Sequence, residues 1–179
     1  MKTKSNLLVL ISIFAVGGLQ AQTAPATPAA ATPAAAAPAA SAPVATPAAA
    51  ALPPLKVAIT TNDMMSFSVT KIEAHPGQTI TVTLKNNGTL PKTVMGHNWI
   101  LLKAGANMTA YAATAASAKA ENFQPKALAD QVLAAIPMLG AKESGEVTFT
   151  CPTEPGNYTY LCSCYGHSMA GMKGVLIVK

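Results

Sequence analysis

Alternating apolar and polar residues recur along the later part of this 179-residue chain and indicate β-strands. In "TITVTLK", from Thr79 to Lys85, every second residue is apolar, as in a strand that buries one face. Other strand candidates are "LKVAIT", "HNWILL", "EVTFT", "NYTYLC" and "GVLIVK". Turn signals such as "HPGQ", "NNGTLP" and "TEPGN" separate them. Short strands with turns between them predict an all-β sandwich.

One stretch interrupts the strand pattern. Between Met108 and Leu133 the chain is rich in alanine and shows no alternation. We therefore expect one or two short helices there, with Pro125 in the first turn of the second, where a proline costs no hydrogen bond. This helical insertion is expected to pack on one face of the sandwich.

The beginning of the chain differs in composition from the rest. Two lysines precede an apolar run and then small residues, which predicts a secretory signal peptide over residues 1–21. Residues 22–54 are almost wholly Ala, Pro and Thr. Such a segment lacks the side chains for a core and predicts a disordered, extended linker. Residues 55–179 are expected to form one domain of ordinary size.

The predicted signal peptide implies export, and we take the compartment to be a bacterial periplasm. Its apolar run is too short to span a bilayer comfortably, so membrane tethering is not expected unless the peptide is retained as an anchor. The formal net charge is +5, all twelve basic residues are lysines, and aromatic residues make up only 5%. Because the lysines form no cluster and few rings are available for base stacking, a nucleic-acid partner is not expected.

The segment "CSCYGHSMAGMKG", near the end of the chain, supports three hypotheses. Disulfides are open to an exported chain, but a hairpin closed by "TEPGN" would place Cys151 near Tyr160. Cys164 would then lie roughly 13 Å farther along the ladder, beyond the ~7 Å limit for a disulfide. The pairing stays an alternative because hairpin register is uncertain from sequence.

A catalytic thiol needs a third group that orients its base, and no acidic residue follows Cys162. A metal site needs a further ligand from elsewhere in the chain.

Four residues together favour the metal hypothesis: His97, Cys162, His167 and Met172. Two imidazoles and a thiolate in a plane, with a weak axial thioether, make a blue-copper electron-transfer site. Thiolate and thioether suit Cu(I), whereas imidazole suits both oxidation states. The C-x4-H-x4-M pattern lets a strand end supply Cys162 and the following turn return His167 and Met172. His97, at the start of an apolar strand, supplies the remote ligand.

The segments "LPKTVMGHNWIL", "SGEVTF" and "MKGVLIVK" resemble those of the azurins, within the broader cupredoxin family, and "NDMMSF" fits an early strand region of that family. The resemblance covers the domain and implies an eight-stranded Greek-key β-sandwich that binds one type 1 copper, carries one electron and is not an enzyme. It implies that the Gly96 carbonyl is a weak axial contact opposite Met172. It also implies that Asn98 hydrogen-bonds across to the ligand loop, beside Ser163 and Cys164. The implied partners are redox proteins such as c-type cytochromes, a copper nitrite reductase or a peroxidase.

The chain departs from the azurin pattern close to the predicted ligands. The spacing from His167 to Met172 is one residue longer than in typical azurins and resembles the auracyanin branch. Cys164 stands where the family usually has an aromatic residue, and Tyr165 where it has proline. We expect Cys164 to be a shielded free thiol that does not bind the metal and acts through its backbone N–H on the Cys162 sulfur.

Four methionines leave a second function open. Met64, Met65, Met95 and Met169 are either transient Cu(I) ligands of a periplasmic copper-binding or copper-delivery module, or a soft apolar patch around the edge of His167 where a redox partner docks. We favour the patch, given the general role of methionine at adaptable surfaces. A copper oxidase or reductase needs a second metal centre, and the chain has only three histidines.

Overall fold

The structure is a computed structural model that describes residues 52–179. The predicted signal peptide, 1–21, and all but the end of the predicted linker, 22–54, lie outside the described residues. Within the described part, no helix is both long enough and apolar enough to cross a membrane. The first strand begins at Leu55, where the sequence pattern places the start of the domain.

Eight strands make up the described part of the chain, and they follow from side chains that alternate between core and solvent. The third strand shows this most clearly, because Ile80, Val82 and Leu84 are fully buried while the threonines between them are partly exposed. The strands are β1 (Leu55–Thr61), β2 (Lys71–Ala74), β3 (Thr79–Asn86), β4 (His97–Leu102), β5 (Val132–Leu139), β6 (Ser144–Thr150), β7 (Gly156–Leu161) and β8 (Lys173–Val178).

The strands form two sheets. One has the order β1-β3-β6 and the other the order β2-β8-β7-β4-β5. β1 pairs with β3 and β2 pairs with β8 in parallel, while the remaining neighbours are antiparallel. This arrangement confirms the predicted all-β, eight-stranded Greek-key sandwich.

The predicted helical insertion lies between β4 and β5. A ten-residue helix, Met108–Ser117, is followed by two 3-10 helices, Lys119–Glu121 and Lys126–Gln131. Pro125 directly precedes the second of these, one position before the first-turn place expected for it. A further one-turn helix, Lys92–Met95, comes just before β4. We label the one-turn helix α1 and the ten-residue helix α2.

Two apolar clusters hold these layers together. The larger lies between the sheets and contains Trp99 and Tyr160, whose ring centroids are 5.3 Å apart. The smaller packs Tyr111 of α2 against Ile100 and Leu102 of β4. Because each cluster covers one face of β4, every residue of that strand is buried.

Two expectations about the strands are wrong. "TEPGN" closes no hairpin: β6 and β7 belong to different sheets, so the chain crosses the sandwich between them. The helical stretch expected up to Leu133 ends earlier, because β5 begins at Val132. β2 and β5 are the two strands that the alternation pattern does not predict.

Candidate metal centre

Three donor side chains from separate parts of the sequence meet inside the sandwich. The ligand atoms of His97, Cys162 and His167 all lie within 4.8 Å of one another, and all three residues are buried. Sγ of Cys162 is 3.5 Å from Nδ1 of His167 and 3.9 Å from Nδ1 of His97. Because both imidazoles turn Nδ1 toward the sulfur, two nitrogen donors and one sulfur donor converge on a single small volume.

Strand ends deliver these side chains. His97 is the first residue of β4, and Cys162 directly follows β7. The loop that begins at Cys162 is closed on itself: the N–H of Cys162 donates to the carbonyl of Met172 at 3.1 Å, and the N–H of Met172 donates to the carbonyl of His167 at 3.0 Å. One short loop therefore carries two of the converging donors and ends where β8 begins.

Burial favours the neutral form of both imidazoles, which is the form that binds metals. Burial lowers the pKa of His97 to about 4, and the charge of His167 acts in the same direction. The backbone of Asn62 and the carboxylate of Asp63 oppose this shift, although Nε2 of His97 makes no hydrogen bond of standard geometry. Burial also lowers the pKa of His167. Both rings thus keep a lone pair available near neutral pH.

The Cys162 sulfur lies among groups that oppose and favour its ionisation. Burial raises the pKa of the free thiol to about 11, while backbone N–H groups of Asn98 and Cys164 lower it. A thiol binds a metal only after losing its proton. The two amides are therefore placed to stabilise the thiolate form that a metal ion requires.

A buried hydrogen-bond network supports the ligand loop. The N–H of Ser163 donates to Oδ1 of Asn98 at 2.8 Å, and Nδ2 of Asn98 donates to Oγ of Ser163 at 2.8 Å. The Ser163 hydroxyl in turn donates to the Phe123 carbonyl at 2.6 Å. The residue after His97 is thus bonded to the residue after Cys162, which holds the two segments in one register.

Met172 and Gly96, the two predicted axial contacts, are both buried. Met172 is fully buried at the end of the loop. Gly96 is buried beside His97, and a Cβ there would come within 2.6 Å of the Lys92 carbonyl and 2.8 Å of Met138 Sδ. Close packing against α1 and β5 therefore requires a glycine at this position, independently of any metal that its carbonyl contacts.

The chain's three cysteines are all buried and free, so the alternative disulfide between Cys151 and Cys164 is not formed. Cys164 lies in the larger apolar cluster, and its sulfur is not among the donor atoms that converge within 4.8 Å. Burial raises the pKa of its thiol to about 12, with a further contribution from Cys162. These features describe a shielded thiol next to the donor set.

The predicted methionine patch is only partly exposed. Met64 and Met169 are 78% and 64% exposed, whereas Met65 and Met95 are half-buried. The structure adds other exposed large apolar side chains that the sequence analysis did not include: Leu90, Val94 and Tyr165. Leu90 and Val94 lie in "LPKTVMG", directly before His97. Their position next to a predicted ligand is the sequence signal that could have identified them.

Two further residues, Phe123 and Asp63, make contacts near the site that the sequence analysis did not predict. Phe123 accepts the Ser163 hydrogen bond through its carbonyl. Asp63 accepts hydrogen bonds from the N–H and hydroxyl of Thr89, each at 2.9 Å. Asp63 thereby ties the loop after β1 to the loop after β3. Both contacts depend on how segments that are distant in sequence pack together, so no local pattern in the sequence identifies them.

Comparisons with protein families and with individual proteins match about two thirds of the chain. The family model described as copper binding proteins of the plastocyanin/azurin family matches residues 54–179. Azurin from Bordetella pertussis is 41% identical over 123 residues, 67% of this chain and 81% of its own. Azurin from Pseudomonas fluorescens biotype C is 37% identical over 127 residues, 69% of this chain and 98% of its own.

Solved structures give a further comparison. Auracyanin A, a "blue" copper protein from Chloroflexus aurantiacus, superposes with a TM-score of 0.62 at 34% identity, covering 71% of this chain and 100% of its own. The reduced auracyanin from Roseiflexus castenholzii gives a TM-score of 0.61 at 32% identity, covering 69% of this chain and 96% of its own. Both superpositions support the eight-stranded sandwich described above.

Proposed function

Because the chain belongs to the plastocyanin/azurin family of copper-binding proteins, whose function is electron transfer, we propose that it is an exported one-electron carrier with copper held by His97, Cys162 and His167. The observation that carries this proposal is the convergence of two Nδ1 atoms and one Sγ atom within 4.8 Å, all buried. Two imidazoles and a thiolate are the donors of a type 1 site. Copper bound there supplies a Cu(II)/Cu(I) couple.

The surrounding residues hold this donor set in place. Met172, buried at the end of the loop, and the Gly96 carbonyl are the proposed weak axial contacts. The double hydrogen bond between Asn98 and Ser163 keeps the two ligand segments together. A donor set braced in this way rearranges little when its charge changes. The proposed role is therefore to carry electrons and not to convert a substrate.

The experiment that tests this proposal is to add one equivalent of Cu(II) to the purified domain and record its visible spectrum. We expect an intense blue absorption that disappears on reduction with dithionite and returns on oxidation. Colourless binding, or a blue band that is not restored by oxidation, would contradict a type 1 electron-transfer site. A matched titration with Zn(II) shows whether the donor set closes around a metal without the colour.

Partner docking is proposed at the exposed apolar side chains of Met64, Leu90, Val94 and Met169, together with the half-buried Met65 and Met95. The proposed partners are redox proteins such as c-type cytochromes, a copper nitrite reductase or a peroxidase. Val94→Lys places a like charge on both copies during self-exchange, so we expect the rate to fall about tenfold or more without a spectral change. Thr148→Lys, on the outer face of the β1-β3-β6 sheet, adds the same charge elsewhere and serves as the control.

Export to the periplasm is proposed from the signal-like composition of residues 1–21. We expect the full-length chain, expressed in a Gram-negative host, to be recovered from the periplasmic fraction. Its mass is expected to be that of a chain that begins at Gln22. A cytoplasmic product, or a membrane-bound product that keeps its first residues, would contradict this proposal.

The two most exposed methionines support copper delivery as a second candidate function. Met64 and Met169 offer thioethers to solvent, and thioethers suit Cu(I). A delivery protein passes its copper quickly to an acceptor, and removing both thioethers slows the transfer. An electron carrier keeps its copper over many redox cycles in the presence of a Cu(I) chelator. The rate of copper loss to such a chelator therefore separates the two functions.

A further inference from the structure

Phe123 of the helical insertion contacts the ligand loop twice. The Phe123 carbonyl accepts the hydrogen bond from the Ser163 hydroxyl at 2.6 Å. The Phe123 ring meets the ring of Tyr165 edge-on, with centroids 4.5 Å apart and planes inclined by 63°. Ser163 and Tyr165 both lie between Cys162 and His167 in sequence. One residue of the insertion therefore contacts the segment that joins two proposed ligands.

The outer side of this contact is also covered. Nζ of Lys119, in the first 3-10 helix, lies 5.7 Å from the centroid of the Tyr165 ring, within the range of a cation–π interaction. Tyr165 is 44% exposed, while Phe123 beneath it is buried. The tyrosine ring thus contacts both an aromatic side chain and a lysine of the insertion.

The two aromatic residues of this contact, Phe123 and Tyr165, both have a backbone conformation that bulky side chains disfavour. Tyr165 has a φ of 36°, and the neighbouring insertion residues Asn122 and Phe123 have φ values of 54° and 58°. Bulky side chains disfavour this left-handed region, and such residues persist there when their surroundings determine the conformation. The hydrogen bond to Ser163 and the ring contact are those surroundings.

The geometry points to Phe123 as a positioning residue that clamps the loop between Cys162 and His167, and so sets how the sulfur and the imidazole face one copper ion. This inference rests on the proposed copper site, and it adds a role for the helical insertion. The clamp is connected to Asn98 through one atom, since the Ser163 hydroxyl accepts from Asn98 and donates to Phe123. Loosening it frees the loop without removing a metal donor.

Four variants test the clamp. Phe123→Ala removes the ring contact, and Ser163→Ala removes the hydrogen bond to Phe123 together with the one from Asn98. We expect each to weaken copper binding about tenfold and to alter the Cu(II) hyperfine splitting in electron paramagnetic resonance. Ser163→Thr keeps the hydroxyl and is expected to restore wild-type values. Tyr111→Leu loosens the packing of α2 on β4, so it lowers stability while the spectrum and copper affinity stay as in wild type.

Amide hydrogen exchange of the metal-free protein gives a readout that does not depend on copper. We expect residues 163–167 to exchange faster in Phe123→Ala and Ser163→Ala, and to be unchanged in Tyr111→Leu. Unaltered exchange, affinity and spectrum in both clamp variants would overturn the inference. If Phe123→Ala does not fold, Tyr165→Ala tests the same ring contact from the exposed side. A wild-type chain that binds no copper would instead overturn the proposed function, while the exchange result would still test the clamp.

Discussion

Asn98 and Ser163 exchange two hydrogen bonds, each 2.8 Å long, across the gap between β4 and the ligand loop. Both residues are buried, so neither has water as a substitute partner. The contact joins segments that are 65 residues apart in sequence. The proposed remote ligand, His97, and the proposed thiolate, Cys162, each directly precede one of the two residues in this contact.

Replacing Asn98 is expected to affect both stability and the metal site. Asn98→Ala leaves the N–H of Ser163 without its acceptor, which costs about 1–3 kcal/mol, and removes the second hydrogen bond, worth about 1 kcal/mol. We expect the free energy of unfolding to fall by about 2–4 kcal/mol and copper to be released faster. Urea denaturation and chelator competition measure these effects. Asn157→Ala, at an exposed position, is the control, and equal effects of the two substitutions would contradict the role given to Asn98.

The two neighbouring cysteines are expected to differ completely in their effect on colour. Cys162→Ser removes the proposed thiolate while the strand pattern remains, so the protein is expected to fold and show no blue absorption. Cys164→Ser is expected to keep the blue band, because the Cys164 sulfur is not among the converging donor atoms. Visible spectra after copper addition decide the point. A blue Cys162→Ser protein would show that Cys164 is the true ligand.

The two methionines of the loop are expected to differ in their effect on reduction potential. Met172 is fully buried and Met169 is 64% exposed. Met172→Leu removes a weak donor to Cu(II), so we expect the protein to keep copper and its potential to rise by about 60 mV or more, a tenfold change in a one-electron equilibrium. Met169→Leu is expected to leave the potential unchanged. Voltammetry measures both, and the opposite ranking would reverse the assignment.

Glu73 gives a pH dependence away from the metal centre. Its carboxylate forms ion pairs of 2.6 Å with Lys179 and Lys71, and these, with Lys179 contributing most, lower its pKa from 4.5 to about 2. Because the folded-state pKa is depressed, the stabilisation is present above pH 4.5 and is lost as the pH falls toward 2.

Glu73→Gln is therefore expected to make stability less dependent on pH between about 4.5 and 2, as measured by urea denaturation. The group is exposed, so the effect is expected to be small and to shrink in salt. Glu154→Gln removes an equal charge outside this ion-pair network and is the control. An unchanged slope in Glu73→Gln would show that the ion pairs do not stabilise the fold.

The sequence predicts the strands whose side chains alternate, because burial of one face leaves a record in every second residue. It does not predict β2, which has only four residues, nor β5, whose "VLAAIPML" contains alanines and a proline. The hairpin expectation failed for another reason. A turn signal such as "TEPGN" shows that the chain reverses, but not whether it stays in one sheet or crosses to the other.

The proposed donors are visible in the sequence because histidine and cysteine are scarce, with three of each, and all the donor types are chemically distinct. Their supports are less visible. Asn98 is identified only through the family resemblance, and Phe123 acts through a carbonyl and a ring contact that depend on where the insertion packs. The exposed patch was predicted from methionines alone, so Val94 and Leu90 were missed.

The position of β8 determines the order in which the molecule is assembled. β2 has β8 as its only neighbour in the five-stranded sheet, and β7 also pairs with β8. The strand partner of Lys71–Ala74 therefore lies about a hundred residues later in the chain. Pairings between residues so far apart in sequence form slowly. The loop from Cys162 to Met172 lies directly before that last strand. A folding chain thus completes its proposed donor set only when β8 is inserted, so we expect metal uptake to be a late step of folding.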